Sequence, residues 1–153
     1  LGTVLMVLVF LQIVLGALVA GIDAGRAYPD WPLMAGGFLP PDMWQLTPAW
    51  RNLFENEGTV QFIHRMSSYI LFAYGLFVWL RSRRSANRRT RSAFAMMMAM
   101  MVAQMVLGIA TVMTMATPHV AIVHQAGAIV LWVLTLRAWF LSRYPLPQSV
   151  REA

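Results

Sequence analysis

The sequence contains no cysteine and no lysine, and only six of its residues are acidic. Without thiols there can be no disulfide, thiolate metal site, iron-sulfur cluster or cysteine nucleophile, so any metal chemistry in this chain falls to histidine. Charged residues make up 12% of the 153 and hydrophobic ones 59%. The mean hydropathy of +0.60 is far above what a water-soluble domain of this size needs to fill a core. The composition is that of a membrane protein. The first residue is Leu, and nothing resembles a basic leader with a small-residue cleavage site, so the chain is expected to begin inside a longer protein.

Uncharged runs extend from Leu1 to Ile22 and from Ser92 to Pro118. Each exceeds the roughly 20 residues that cross a hydrocarbon core of about 30 Å. Two further candidates, about residues 59–80 and 119–141, reach spanning length only with their histidines inside the helix. Met66 to Leu80 alone would make only about 22 Å of helix, so the second helix has to absorb His64 and Arg65. The expected fold is an all-α membrane protein. It is one four-helix bundle over residues 1–153, with spans at about 2–22, 59–80, 92–115 and 119–141.

All twelve basic residues are arginines, and six of them (Arg81, Arg83, Arg84, Arg88, Arg89 and Arg91) share the loop 81–91 with no acidic partner. The positive-inside bias puts that loop, and with it both termini, on the cytoplasmic side of the cell inner membrane. The loop 23–58 holds five of the six acids against Arg26 and Arg51, and is expected outside. A nucleic-acid partner is excluded, because the remaining positive charge lies in a short tail (Arg137, Arg143, Arg151) rather than across a folded face. The positive charge serves topology and membrane lipid headgroups instead. The outer loop is rich in Pro, Gly and scattered aromatics suited to headgroup depth. Within it, Pro48 to Asn56 is expected to form a short surface helix, with Thr47 as cap and Pro48 at the first position.

The chain repeats itself. "QIVLGA" (Gln12 to Ala17) in the first helix matches "QMVLGI" (Gln104 to Ile109) in the third. The helices that follow, "FIHRMSSYIL" and "AIVHQAGAIVL", each carry one histidine after two apolar residues. His64 and His124 are therefore expected at matched depth, about one turn below the outer end. Two hairpins related by a pseudo-two-fold axis along the membrane normal would turn them toward each other. Ionisable side chains at membrane depth tend to face the bundle interior and to carry function. Two neutral imidazoles on opposite helices suit the axial positions of a haem iron, and Arg65 beside one of them suits a propionate. Gly16, Gly21, Gly108 and Gly127 would let backbones approach a porphyrin, while Gln12 and Gln104 would hydrogen-bond across helices. His119 points about 140° away from His124 and belongs to the external turn. The methionines of "AMMMAMM" face all sides of their helix, as packing and lipid contact require. Asp23 and Glu57 read as solvated loop acids.

These residues carry a resemblance. "GALVAGIDAGRAYPDWPLM", "LFEN" (Leu53 to Asn56), "VQFIHRM" and "HQAG" (His124 to Gly127) together resemble the C-terminal half of the haem A synthase family, of the mitochondrial and alphaproteobacterial type. The likeness covers nearly the whole chain. It implies an eight-helix oxidoreductase of two similar four-helix bundles that oxidises the C8 methyl of haem O to the formyl of haem A. The N-terminal bundle would handle haem O, while the C-terminal bundle holds haem B between the histidines matching His64 and His124. It also implies a mitochondrial inner membrane location in a eukaryote, and as partners a haem O synthase and a membrane electron donor or acceptor. In the catalytic half the family motif reads Glu-x-x-His-Arg, whereas this chain has the neutral Gln61 ahead of His64 and Arg65. That departure fits the cofactor half and leaves the catalytic residues outside this chain. The lack of cysteine also sets it apart from members with a cysteine pair in an outer loop. Two other readings stay open: a membrane b-type cytochrome that only carries electrons, and a transporter or assembly subunit without a cofactor.

Overall fold

A computed structural model describes residues 1–147, so Arg151 of the basic tail lies outside the described residues. The fold is helical: α1 (Gly2–Gly21), α2 (Asn52–Glu55), α3 (Glu57–Ser82), α4 (Arg88–Met113) and α5 (Pro118–Arg143), with no strand among the described residues. The sequence boundaries hold to within a few residues, and the shifts have local causes. Helix α3 starts at Glu57 because Asn56 caps it, its side chain accepting from the backbone N–H of Thr59 at 2.7 Å. Asn87 does the same for α4, accepting from Thr90 N at 3.1 Å. The cytoplasmic loop expected over 81–91 thus shrinks to 83–87, and Arg81, Arg88, Arg89 and Arg91 become helical, which suits arginine's good helix propensity. Pro118 opens α5 from its first turn, where no N–H is needed.

Helices α1, α4 and α5 are long and apolar enough to cross a membrane. Helix α3 matches α4 in length at 26 residues, but whereas the arginines of α4 are confined to its first turn, α3 carries His64 and Arg65 inside its length. Packing pairs α1 with α3, α3 with α4, α4 with α5 and α5 with α1. The interior is sorted along these helices. Leu5 and Val9 of α1, Leu71 and Val78 of α3, Phe94, Met97, Met98 and Met101 of α4, and Leu131, Ala138 and Leu141 of α5 form one apolar core. All belong to the helix halves nearest the termini. Toward the loop end, α1 buries nothing beyond Val9, burial in α4 stops at Gln104, and burial in α5 begins only at Gly127. Gly75 of α3 makes room for the Met101 side chain of α4, since a Cβ there would lie 2.6 Å from Met101 Sδ.

The segment between α1 and α3 is irregular but held in place. Residues Ala49–Arg51 form a 3-10 turn that runs into α2, with Trp50 and Phe54 exposed. The short surface helix is therefore present, but Thr47 does not cap it. Asn52 instead ties the segment, its Nδ2 donating to Leu46 O and Ala49 O at 2.9 Å and its Oδ1 accepting from Leu46 N at 2.9 Å. Arg51 and Glu55 pair across one turn, the carboxylate holding the guanidinium above its usual range and being itself held low.

Candidate functional site

The candidate site lies at the loop end of the helices, where the apolar core gives out. Gln12 and Gly16 stand one turn apart on α1, and Gln61, His64, Arg65 and Ser67 share the start of α3. Gln104 and Gly108 repeat the α1 pair on α4, and His124 and Gly127 occupy the first turns of α5. Helical spacing puts each glutamine and glycine on the face that meets the following histidine helix.

Each imidazole rests on a glycine of the neighbouring helix. A Cβ on Gly16 would lie 3.1 Å from His64 Cε1, and one on Gly108 would lie 3.2 Å from His124 Cε1. Both contacts are tighter than ordinary carbon separations of about 3.5–4.0 Å, so glycine is what admits the rings. Both histidines are half-buried. The other two glycines act differently. Gly21 faces open space, and Gly127 lies against the Gln104 amide.

The glutamines differ as well. Gln12 Nε2 donates to His64 O at 3.0 Å and lies 3.1 Å from His64 Nδ1, while Gln12 Oε1 accepts from Ser67 Oγ at 2.6 Å. Gln104 is buried, and neither its Nε2 nor the buried His124 Nδ1 has a hydrogen-bond partner. His119 is exposed in the first turn of α5, away from this cluster. Asp23 and Glu57 are exposed too. Met97, Met98 and Met101 are core residues, whereas Met96 is exposed.

Arg65 is 6% exposed and meets backbone carbonyls of the outer loop. Nη1 donates to Asp30 O at 3.0 Å and Leu33 O at 3.2 Å, and Nη2 donates to Tyr28 O at 2.8 Å. The guanidinium thus fastens the loop segment 28–33 to α3 through its backbone. A guanidinium has five N–H groups; these contacts use three, and Nε is buried without a partner. One turn earlier Gln61, 1% exposed, donates from Nε2 to the same Tyr28 O at 3.2 Å, and its Oε1 has no partner.

Sequence reasoning missed the layer behind Arg65. The Tyr28 hydroxyl donates to Asp42 Oδ1 at 2.6 Å, and Asn56 Nδ2 donates to Asp42 O at 2.8 Å. Burial first, and the bond to Asp42 second, push the Tyr28 phenol up to about 12. A Cβ on Gly58 would fall on the Asp42 carboxylate, so glycine in the first turn of α3 is what lets that anion sit against a helix N-terminus. A glycine in a helix's first turn, as in "ENEG", was the available signal. Among the described residues no three His, Asp or Glu side chains gather to hold a bare metal ion.

Comparison with known proteins adds a family to this geometry. Proteins named heme A synthase from Jannaschia sp. (strain CCS1) and Ruegeria sp. (strain TM1040) are 60% and 58% identical to this chain over 99% and 93% of its length. One from Cereibacter sphaeroides is 50% identical over 98%. The chain spans about 40% of the length of these relatives (40%, 37% and 41%). No solved structure matches it. Residues 1–136, nearly the whole chain and all of the cluster around His64 and His124, match a single family model, so the chain belongs to the cytochrome oxidase assembly protein family (COX15-CtaA).

Proposed function

We propose that this chain is the haem B-holding half of a haem A synthase, whose full-length protein oxidises the C8 methyl of haem O to the formyl of haem A. The observation that carries the reading is the duplicated contact of imidazole on glycine: His64 on Gly16 and His124 on Gly108, each glycine four residues after a glutamine. The names of the relatives support the activity.

The residues present fit a haem in three respects. Two imidazoles supply a donor pair of the kind iron prefers in electron-transfer cytochromes, and among the described residues no third His, Asp or Glu side chain joins them. Arg65 keeps N–H groups free beside His64, Nε among them, and is suited to a propionate carboxylate. Gly16 and Gly108 leave beside each imidazole the space that a Cβ would take. Haem B, when bound, supplies a one-electron couple. His64 and His124 would hold its iron, and Arg65 would hold one propionate while its bonds to Tyr28, Asp30 and Leu33 carbonyls keep segment 28–33 against α3. Gln61 carries no charge and cannot take a proton as a carboxylate can. The oxidation of the substrate methyl is therefore assigned to the part of the full-length protein that this chain does not cover.

In this reading α3 is the fourth membrane span. Ile70, Phe77 and Leu80 expose apolar side chains along it, as Val7 and Phe10 do on α1 and Ile122 and Ile129 do on α5. The hairpins α1–α3 and α4–α5 form one four-helix bundle about a pseudo-two-fold axis. The arginines around the 83–87 loop hold that end and both ends of the chain in the cytoplasm. The substrate haem O, a haem O synthase and a membrane redox partner complete the assembly. The test is formation of haem A from haem O by the full-length protein. His64→Ala or His124→Ala should reduce it at least a hundredfold, and full activity in either variant would contradict the proposal.

A further inference from the structure

The two halves match at three positions and diverge at a fourth. Gln12, Gly16 and His64 correspond to Gln104, Gly108 and His124, but three residues beyond the histidine one half has Ser67 and the other Gly127. In the first half the Gln12 amide is anchored at both ends, by Ser67 Oγ and by His64. In the second half the Gln104 amide lies where a side chain at position 127 would be, and both Gln104 Nε2 and His124 Nδ1 are buried without partners.

We propose that Gln12 and Ser67 are positioning residues that make His64 the fixed axial ligand, and that His124, which has no such pair, is the ligand that exchanges. The inference rests on the haem-holding reading above. Iron at Nε2 requires the imidazole proton on Nδ1, and an anchored neighbour must be able to accept it. As placed, Gln12 offers its N–H groups to His64 O and Nδ1. A half-turn of the amide presents Oε1 to the Nδ1 proton and gives its N–H groups to Ser67 Oγ. The Ser67 hydroxyl then donates to His64 O, which already lies 3.0 Å away. A hydroxyl both donates and accepts, so the network is satisfied with the proton on either nitrogen. Glycine at position 127 removes that relay from the second half.

The test uses the full-length protein and reads haem content and spectrum. In His124→Gly, haem should stay on His64 as a five-coordinate species, and added imidazole should restore the low-spin bands. In His64→Gly, at least about tenfold less haem should be retained, because the remaining ligand is unanchored. Ser67→Gly, which should fold without difficulty, should lower haem retention about tenfold in the His124→Gly background, where His64 is the sole ligand, the equivalent of one hydrogen bond, while Gln104→Ala in that background changes it less than twofold. Equal haem retention in the two histidine variants, or unchanged haem retention when Ser67→Gly is added to His124→Gly, would overturn the inference. Wild-type protein without haem would instead overturn the reading beneath it.

Discussion

Gly16→Ala probes the site with a single methyl group. The new carbon would sit 3.1 Å from His64 Cε1, and its counterpart in Gly108→Ala 3.2 Å from His124 Cε1. Ordinary carbon contacts lie at about 3.5–4.0 Å, so each ring must retreat by roughly 0.4 Å, close to the ~0.5 Å tolerance of a preorganised site. Two effects oppose each other in folding. Alanine is favoured over glycine inside a helix by about 1 kcal/mol, and mild overpacking costs about 1–3 kcal/mol. Melting temperature should therefore stay within a few degrees of wild type. Ligand geometry gains nothing from helix propensity, so haem retention during detergent dilution should fall about fivefold to tenfold, or ~1 kcal/mol, in Gly16→Ala and by less than that in Gly108→Ala. Valine at position 16 should remove binding, whereas valine at position 108 should cost the low-spin bands and leave haem on His64. Gly21→Ala is the internal control, since nothing lies within 4 Å of the added carbon, and it should change neither property. Wild-type haem retention in Gly16→Val would refute the reasoning.

Three more outcomes follow from the loop-end network. Arg65→Ala removes three bonds to loop carbonyls and should cost about 3 kcal/mol, seen as faster proteolysis within 27–48; Arg65→Lys should not restore resistance, because an ammonium lacks the fork. Gly58→Ala places a carbon on the Asp42 carboxylate and should destabilise the protein, and Asp42→Ala in the same chain should recover part of the loss in a double-mutant cycle. The Tyr28 phenol, raised to about 12, favours the folded state while it is neutral. Its contribution should be complete below pH 10 and vanish as pH passes 12, and Tyr28→Phe should remove that step from an alkaline unfolding curve.

How far the sequence spoke depended on the range of the interaction. The long apolar runs gave α1 and α4, and the histidine contexts gave the paired positions of His64 and His124, because helical periodicity is local. Arg65 was singled out from its cost in a membrane, but its partners were not. They are carbonyls of residues 28, 30 and 33, and a proline-rich aperiodic loop carries no pattern from which its path can be read. The repeat was visible as Q-x-V-L-G, yet its break at Ser67 and Gly127 gained meaning only once the Gln12 and Gln104 amides had positions. The four glycines looked alike in sequence; contact distances separated the two that touch imidazoles from Gly21, which touches nothing. Asn56 and Asn87 moved two helix starts because a single side-chain cap outweighs the charge pattern that marked the boundaries.

The most direct measurement is an absorption spectrum of the purified full-length protein, with pyridine haemochrome identification of its haem, in wild type, His64→Ala and His124→Ala. The account predicts haem B with six-coordinate low-spin bands in wild type and loss of those bands in each variant. Absence of haem B from wild type, or unchanged low-spin bands in both variants, would contradict it.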